Sequence, residues 1–244
     1  MKNTIGIILV TLCLLSSCKE FITLEYENDP ALYFVHAQYG QQDSLNHTFF
    51  LRVGDKTRDT AFVEIITMGY PSSENREISL IQTNSGQPGA AIPGVHYIPF
   101  DNPEVKPHMV IPAGAVRARV PVILLNDQTL ALSSVRLNLE IVPNSHFRQG
   151  VSEFSQFLIK TTAQAVKPSN WDSVWRYYFG ATWGSVKMEF IISVLGYVDW
   201  SVRPGDIGYT TYIGAKTKAA LEQYNLDHPT APLKEADGTL VTFN

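Results

Sequence analysis

Short segments with alternating apolar and polar residues recur along the first two thirds of the chain, and they constrain its fold most strongly. In residues 135–141 (VRLNLEI), aliphatic side chains occupy every second position and polar side chains fill the positions between them. Successive side chains of a β-strand point to opposite faces, so this period of two predicts a strand with one buried face. Leu137, Leu139 and Ile141 are therefore expected in a hydrophobic core.

About eight segments have strand character before residue 163, and turn-forming residues separate them. These segments are residues 31–37, 47–53, 60–67, 76–82, 108–111, 115–125, 135–142 and 155–161. No credible helix lies between them. The pattern predicts an antiparallel β-sandwich over residues 29–165.

The pattern changes after Lys167-Pro168, where aromatic residues become frequent. Residues 186–195 fit either a helix or a buried strand, because apolar periodicity does not separate the two at that length. Residues 215–224 are rich in Ala and Lys without Gly or Pro, which predicts a helix. Asp237-Gly238 indicates a tight turn. We therefore predict a smaller α+β region over residues 166–244.

The N-terminus has the features of an export signal. Lys2 precedes an apolar run from Ile5 to Leu15 that is about half the length a membrane-spanning helix needs. Leu15-Ser16-Ser17-Cys18 then resembles a lipobox, in which the cysteine is lipidated and becomes the first mature residue. We expect a signal peptide over residues 1–17, lipidation of Cys18 and a tether over residues 18–28. The alternative is an ordinary secretory signal followed by a chance cysteine.

Cysteine content and charge exclude several kinds of protein. Cys13 would leave with the signal and Cys18 would be lipidated, so the mature body would contain no disulfide, zinc–cysteine site or cysteine nucleophile. Loss of Lys2 leaves 18 basic and 23 acidic residues, a net charge of 18 − 23 = −5. No stripe of Lys and Arg is present, so nucleic acid is not an expected partner.

Three motifs resemble the Calx-β repeat family. They are Gly94-Val95-His96-Tyr97, the turn at residues 110–114 (VIPAG) and Leu125-Asn126-Asp127. The resemblance implies an immunoglobulin-like sandwich. His96 stands where that family has Asp, and Asn126-Asp127 replaces Asp-Asp. Because those acids contribute to calcium binding in the family, no metal site is carried over to this chain.

The whole chain resembles uncharacterised Bacteroidota lipoproteins of about 250 residues. The motifs that carry this resemblance are Cys18, residues 94–97, 187–191 (KMEFI), 224–225 (YN), 232–233 (PL) and 237–238 (DG). Such lipoproteins are commonly encoded beside starch-utilisation-type (SusC/SusD-like) importers of the outer membrane. The resemblance implies a role in nutrient capture and brings no catalytic residue with it.

The sequence contains no recognisable catalytic set. His-Glu-x-x-His, Gly-x-Ser-x-Gly and the phosphate-binding Gly-rich loop are all missing, and no two histidines lie four residues apart. We therefore predict no catalytic residue, cofactor or metal. Trp171, Trp175, Trp183 and Trp200 either form an exposed platform for a ligand or partner, or pack in the interior. Interior packing is favoured, because large aromatic residues usually cluster in cores.

Together these features predict a non-catalytic accessory or ligand-binding lipoprotein of an outer-membrane importer, with a glycan or peptide as ligand. A surface hydrolase and a structural component of a surface appendage are the alternatives. Lys19-Glu20 after the lipid site resembles a surface-export signal, so the cell surface is favoured over the periplasmic face.

Overall fold

The computed structural model describes residues 29–35, 44–53, 57–196 and 198–243. The predicted signal peptide, the lipidation site Cys18 and the whole tether over residues 18–28 lie outside the described residues. Within the described ranges, no helix has both the length and the apolar character needed to cross a membrane.

Two sheets form most of the β-rich region. The strands are β1 (Ala31–Phe34), β2 (Ser44–Thr48), β3 (Arg58–Met68), β4 (Arg76–Glu77), β5 (Leu80–Gln82), β6 (Val110–Ile111), β7 (Arg117–Leu125), β8 (Val135–Ile141) and β9 (Gln156–Thr162). One sheet has the order β1-β3-β7 and the other the order β2-β9-β8-β5, while β4 and β6 form a separate pair.

Side chains from both sheets share one core. Ile65 and Val122 of the three-stranded sheet belong to the same buried cluster as Leu139 and Ile159 of the four-stranded sheet. Their contact follows from the period of two, which puts the aliphatic positions of every strand on its inner face. The prediction that Leu137, Leu139 and Ile141 are core residues is confirmed, because at most 5% of any of these side chains is exposed.

Strand pairing in the β-rich region is not wholly antiparallel, so this part of the prediction is wrong. Strand β2 runs parallel to β9, with Asn46 opposite Lys160 and His47 opposite Thr161. The predicted strand at residues 47–53 is also displaced, because β2 spans Ser44–Thr48. More than a hundred residues separate β2 from β9 in the chain, so no tight turn dictates an antiparallel pairing.

The C-terminal region is helical rather than α+β. A π-helical turn at Trp171–Trp175 leads into α1 (Arg176–Phe179), followed by α2 (Ser185–Leu195) and α3 (Ile207–Asp227). The segment that periodicity left undecided is thus a helix, and the predicted helix at residues 215–224 is confirmed within α3. Among the described residues of this region, extended pairing is limited to one bridge between Lys234 and Leu240, which flanks the predicted Asp237-Gly238 turn.

A second buried cluster holds the helical region together. Its members are Phe50, Trp171, Trp175, Phe179, Met188, Ile191, Ile192, Val198, Trp200 and Ile213. Phe50 lies two residues after the end of β2, so the β-rich region contributes a side chain to the helical core. The neighbouring Phe49 belongs to the core of the β-rich region, so the two cores meet at this point of the chain.

Candidate functional site

An open cleft of about 430 Å³ lies where the outer face of the four-stranded sheet meets the helical region. We call it the junction cleft. Residues from β2, from β9, from the linker at 164–169 and from the loop after α2 line it. Its volume falls within the range of sites for small ligands, about 300–1,000 Å³.

Hydrogen-bonding side chains form the sheet wall of the junction cleft. Asn46 and Thr48 on β2 and Lys160 and Thr162 on β9 all line it. These four positions alternate with inward-facing residues of the same strands, so they project from the outer face of the sheet. The parallel register of β2 and β9 puts Asn46 directly opposite Lys160. The wall therefore offers amide, hydroxyl and ammonium groups next to one another.

The opposite wall combines apolar surface with further polar groups. Trp200 and Pro168 line it and are buried, whereas the side chains of Gln164, Lys167 and Ser169 are exposed. Flat apolar surface beside a few placed polar groups is the usual composition of a small-molecule site. None of the described residues that line the junction cleft is a carboxylate.

A charged group lies behind the sheet wall. The His47 Nε2 is 2.6 Å from the Asp59 Oδ2 at the start of β3, and Arg52 pairs with the same carboxylate. Because an ionised carboxylate only accepts hydrogen bonds, Nε2 carries the proton and donates it. The Nδ1 of His47 is buried and has no hydrogen-bond partner among the described residues. His47 thus joins the two sheets at one edge of the junction cleft.

Burial and pairing set the charge states of this group. Burial lowers the pKa of His47, and this effect outweighs the opposing influence of Asp59. Burial acts to raise the pKa of Asp59, but the hydrogen bonds from His47 and from the Thr60 backbone outweigh it and lower the pKa overall. Asp59 is therefore ionised and His47 neutral at neutral pH.

The four tryptophans, for which the sequence allowed either an exposed contact surface or the favoured interior packing, lie mainly in the interior. Trp171 and Trp175 are fully buried, Trp200 is 5% exposed and Trp183 is half-buried. The Trp175 ring lies edge-on to the Trp200 ring at a centroid distance of 4.9 Å, and its Nε1–H donates to the Trp200 carbonyl at 3.0 Å. The four tryptophans do not form an exposed platform, because their rings pack in the second buried cluster or against it. Only Trp200 among them lines the junction cleft.

A buried lysine lies inside this aromatic core. Lys187 on α2 donates from Nζ to the Thr182 carbonyl at 3.0 Å, and the ammonium lies 5.1 Å from the centre of the Phe243 ring. Burial lowers the pKa of Lys187 to about 8, against the opposing charge of Glu235. Glu235 accepts hydrogen bonds from the backbone N–H groups of Val186 and Lys187, and so caps the start of α2. These contacts attach the C-terminal segment to α2.

Gly184 makes room for this cap. A Cβ atom at Gly184 would lie 2.0 Å from the Glu235 Oε1, so only glycine admits the carboxylate at this position. Lys187, the first residue of the KMEFI motif, and Glu235 thus have a structural role at the start of α2.

The Gly94–Tyr97 motif forms a hydrogen-bond chain rather than a metal site. The Ile92 N–H donates to the His96 Nδ1 at 2.9 Å, which leaves the proton on Nε2 to donate to the Thr129 Oγ1 at 2.9 Å. The Thr129 hydroxyl donates in turn to Asp127 at 2.7 Å. Within the described ranges, no three His, Cys, Asp or Glu residues lie close enough to hold a metal ion.

This hydrogen-bond chain predicts a pH dependence of stability. Burial lowers the pKa of His96, so the folded protein binds that proton less readily than the unfolded chain does. The free energy of unfolding should therefore fall as the pH drops below the ordinary histidine pKa of about 6.5. Protonation would also place an N–H at Nδ1 against the Ile92 N–H.

Melting temperatures between about pH 7.5 and pH 5 test this prediction. His96→Gln retains an acceptor and a donor, and it should lose less stability over this interval than the wild-type protein. His108→Gln is the matched control, because His108 is exposed. An identical pH profile for the His96 variant and the wild-type protein would contradict the prediction.

Sequence reasoning missed His47, Lys160 and the junction cleft itself. Lys160 and Asn46 are far apart in the chain, and only the parallel pairing of β2 with β9 brings them together. The one local signal that could have found the sheet wall is the pair of polar residues Gln156 and Lys160 at alternating positions of a predicted strand. That signal indicates an exposed face and specifies no partner for it.

The fold and the site define a mainly β protein with a helical C-terminal region and an open cleft at their junction. Residues 26–197 match the family model described as "Domain of unknown function (DUF4843)". The chain belongs to this family. No curated protein is significantly similar to it.

Several solved structures from Bacteroides are weakly similar to part of this chain. A two-domain protein of unknown function from Bacteroides fragilis is 13% identical, with 56% of this chain and 46% of that chain covered at a TM-score of 0.33. A protein of unknown function from Bacteroides ovatus is 14% identical, with 53% and 43% covered at a TM-score of 0.37. A candidate carbohydrate-binding protein from the same species is 16% identical, with 55% and 37% covered at a TM-score of 0.34. The chain spans less than half the length of each of them.

Proposed function

We propose that the protein is a non-catalytic, lipid-anchored accessory component of an outer-membrane nutrient importer, and that it binds a glycan in the junction cleft. The observation that carries this proposal is the composition of the cleft, in which hydroxyl, amide and ammonium groups lie together with the apolar side chains of Leu51, Val166, Pro168 and Trp200. Sugars present hydroxyl groups around apolar ring faces, so such a lining complements them.

The composition of the described lining of the junction cleft also supports binding rather than catalysis. Hydrolysis of a glycosidic bond usually requires a pair of carboxyl groups on either side of that bond. The described lining residues include no carboxylate, and the Asp59 carboxylate behind them is paired with His47 and Arg52. The immunoglobulin-like character of the β-rich region, and its folding as a unit separate from residues 166–244, belong to the same proposal.

A bulky substitution in the junction cleft tests the proposed site. Ser169→Trp fills the cleft from an exposed linker position, and it should abolish binding to any oligosaccharide that the wild-type protein binds on a glycan array. Ser73→Trp is the matched control at an exposed position away from the cleft. Absence of binding to all the oligosaccharides, or equal binding by the Ser169 variant and the wild-type protein, would refute the assignment.

A hydrolase is the second candidate function, and the His47–Asp59 pair beside the junction cleft favours it. A histidine oriented by a carboxylate is a common general base, and three serines line the same cleft. Product analysis of the oligosaccharides after incubation distinguishes the two functions. Cleavage that is lost in His47→Gln would establish the hydrolase and refute the non-catalytic role.

The membrane anchor is a separate part of the proposal. Cys18→Ala should move the protein from the membrane fraction to the soluble fraction and remove labelling by a radioactive fatty acid, because stable anchoring requires acyl chains. Cys13→Ala is the matched control and should retain the label. Labelling that persists in the Cys18 variant would show that Cys18 is not the lipid site. Co-purification of the wild-type protein with a SusC/SusD-like complex tests the importer as partner.

A further inference from the structure

We propose that the ligand of the junction cleft is anionic, a glycan whose sugars carry carboxylate groups, and that Lys160 and Lys167 bind those groups. This inference rests on the proposed function and names its ligand class. Both lysines line the junction cleft and no acidic residue among those described does, although the chain as a whole has a net charge of −4.

Positive charge is concentrated on the sheet wall by the strand register. Lys160 on β9 lies directly opposite Arg136 on β8, and both project from the outer face of the sheet. Like charges directly opposite each other in antiparallel strands are destabilising. The Arg136 guanidinium donates to the Pro88 carbonyl at 3.2 Å, whereas Lys160 has no ion-pair partner among the described residues. An anion bound beside Lys160 would supply the counter-charge that it lacks.

The second lysine reaches the junction cleft from a different element. Lys167 lies on the linker, and its Nζ is 2.5 Å from the Asp172 Oδ2 in an ion pair of which both members are substantially exposed. Exposed pairs of this kind contribute little to stability, so a ligand carboxylate can compete for the ammonium group. The two lysines therefore flank the cleft from the sheet and from the linker, as binding of more than one carboxylate requires.

The remaining acidic group near the sheet wall does not oppose an anion. Asp59 is paired with both Arg52 and His47, so its negative charge is already compensated. On the other side of Lys160, Asn46 supplies an amide donor at the directly opposite position of β2. A carboxylate at Lys160 would thus find a second donor within the same wall.

Binding of trigalacturonate and of its fully methyl-esterified form tests the inference. The two probes have the same sugar rings and linkages, but esterification removes every negative charge. By calorimetry, trigalacturonate should bind at least about tenfold more tightly than the ester, because a hydrogen bond to a charged group is about twice as strong as a neutral one. Raising the salt concentration from about 0.05 M to 0.5 M should weaken the binding of trigalacturonate and leave that of the ester unchanged.

The variant Lys160→Gln tests whether Lys160 supplies the positive charge that binds trigalacturonate. This variant should weaken the binding of trigalacturonate about tenfold, and Lys160→Gln combined with Lys167→Gln should abolish it. Lys218→Gln is the matched control, because Lys218 is exposed on α3 away from the cleft. The melting temperature of the Lys160 variant should equal that of the wild-type protein, because Lys160 is exposed and has no ion-pair partner among the described residues. Its loss of binding is therefore not a loss of folding.

The outcomes separate this inference from the proposed function. Equal binding of the two probes, or binding of neutral oligosaccharides alone, would overturn the anionic ligand and leave the glycan-binding role in place. Tight binding of trigalacturonate by Lys160→Gln would overturn the assigned residues. Absence of binding to neutral and acidic oligosaccharides alike would overturn both the inference and the proposed function.

Discussion

Trp175→Ala should lower the free energy of unfolding by about 3–5 kcal/mol, as truncation of a buried tryptophan typically does. Trp175 is fully buried, it packs against the Trp200 and Phe179 rings, and its Nε1–H donates to the Trp200 carbonyl. The substitution removes the ring and leaves that carbonyl without its donor. Urea denaturation followed by circular dichroism gives the change in unfolding free energy.

Tyr177→Ala is the control for this substitution, because Tyr177 lies two residues away and is 68% exposed. It should change the unfolding free energy by no more than about 0.5 kcal/mol. Equal stabilities of the Trp175 and Tyr177 variants would contradict the packing of the helical core. If the Trp175 variant shows two transitions, of which only the earlier is shifted, then residues 166–244 unfold separately from the β-rich region.

Leu139→Asp should prevent folding altogether. Leu139 is fully buried at the centre of β8, between Gln82 on β5 and Phe157 on β9. Removal of a buried leucine side chain alone costs about 2–5 kcal/mol, and an unpaired carboxylate adds a desolvation penalty of several kcal/mol more. The sum is comparable with the whole stability of a typical domain, about 5–15 kcal/mol. Circular dichroism and soluble yield measure the outcome.

Asn138→Asp is the adjacent control and should fold with nearly unchanged stability. The Asn138 side chain is exposed on the outer face of the sheet, so a new carboxylate there remains in water. The same charge is therefore introduced one residue apart, on opposite faces of one strand. A folded Leu139 variant with wild-type melting temperature would show that the face assignment of β8 is wrong.

Local patterns in the sequence determined which face of a strand is buried, and they also determined the presence of one helix. The alternation in residues 135–141 placed Leu137 and Leu139 in the core because strand periodicity is a property of neighbouring residues. The Ala- and Lys-rich run at residues 215–224 predicted part of α3 in the same way, because it depends on intrinsic helix propensity. For residues 186–195, the local pattern fitted both a helix and a strand, and only packing against the rings of the second core selected the helix α2.

Tertiary structure alone decided the site. The burial of Trp171 and Trp175 was one of two outcomes that the sequence allowed, and it depended on whether the helices covered those rings. The parallel pairing of β2 with β9 is a contact between segments more than a hundred residues apart, and no local periodicity specifies the direction of such a pairing. That pairing brings Asn46 beside Lys160 on the wall of the junction cleft. The sequence thus determined which residues face water, and the fold determined which of them meet.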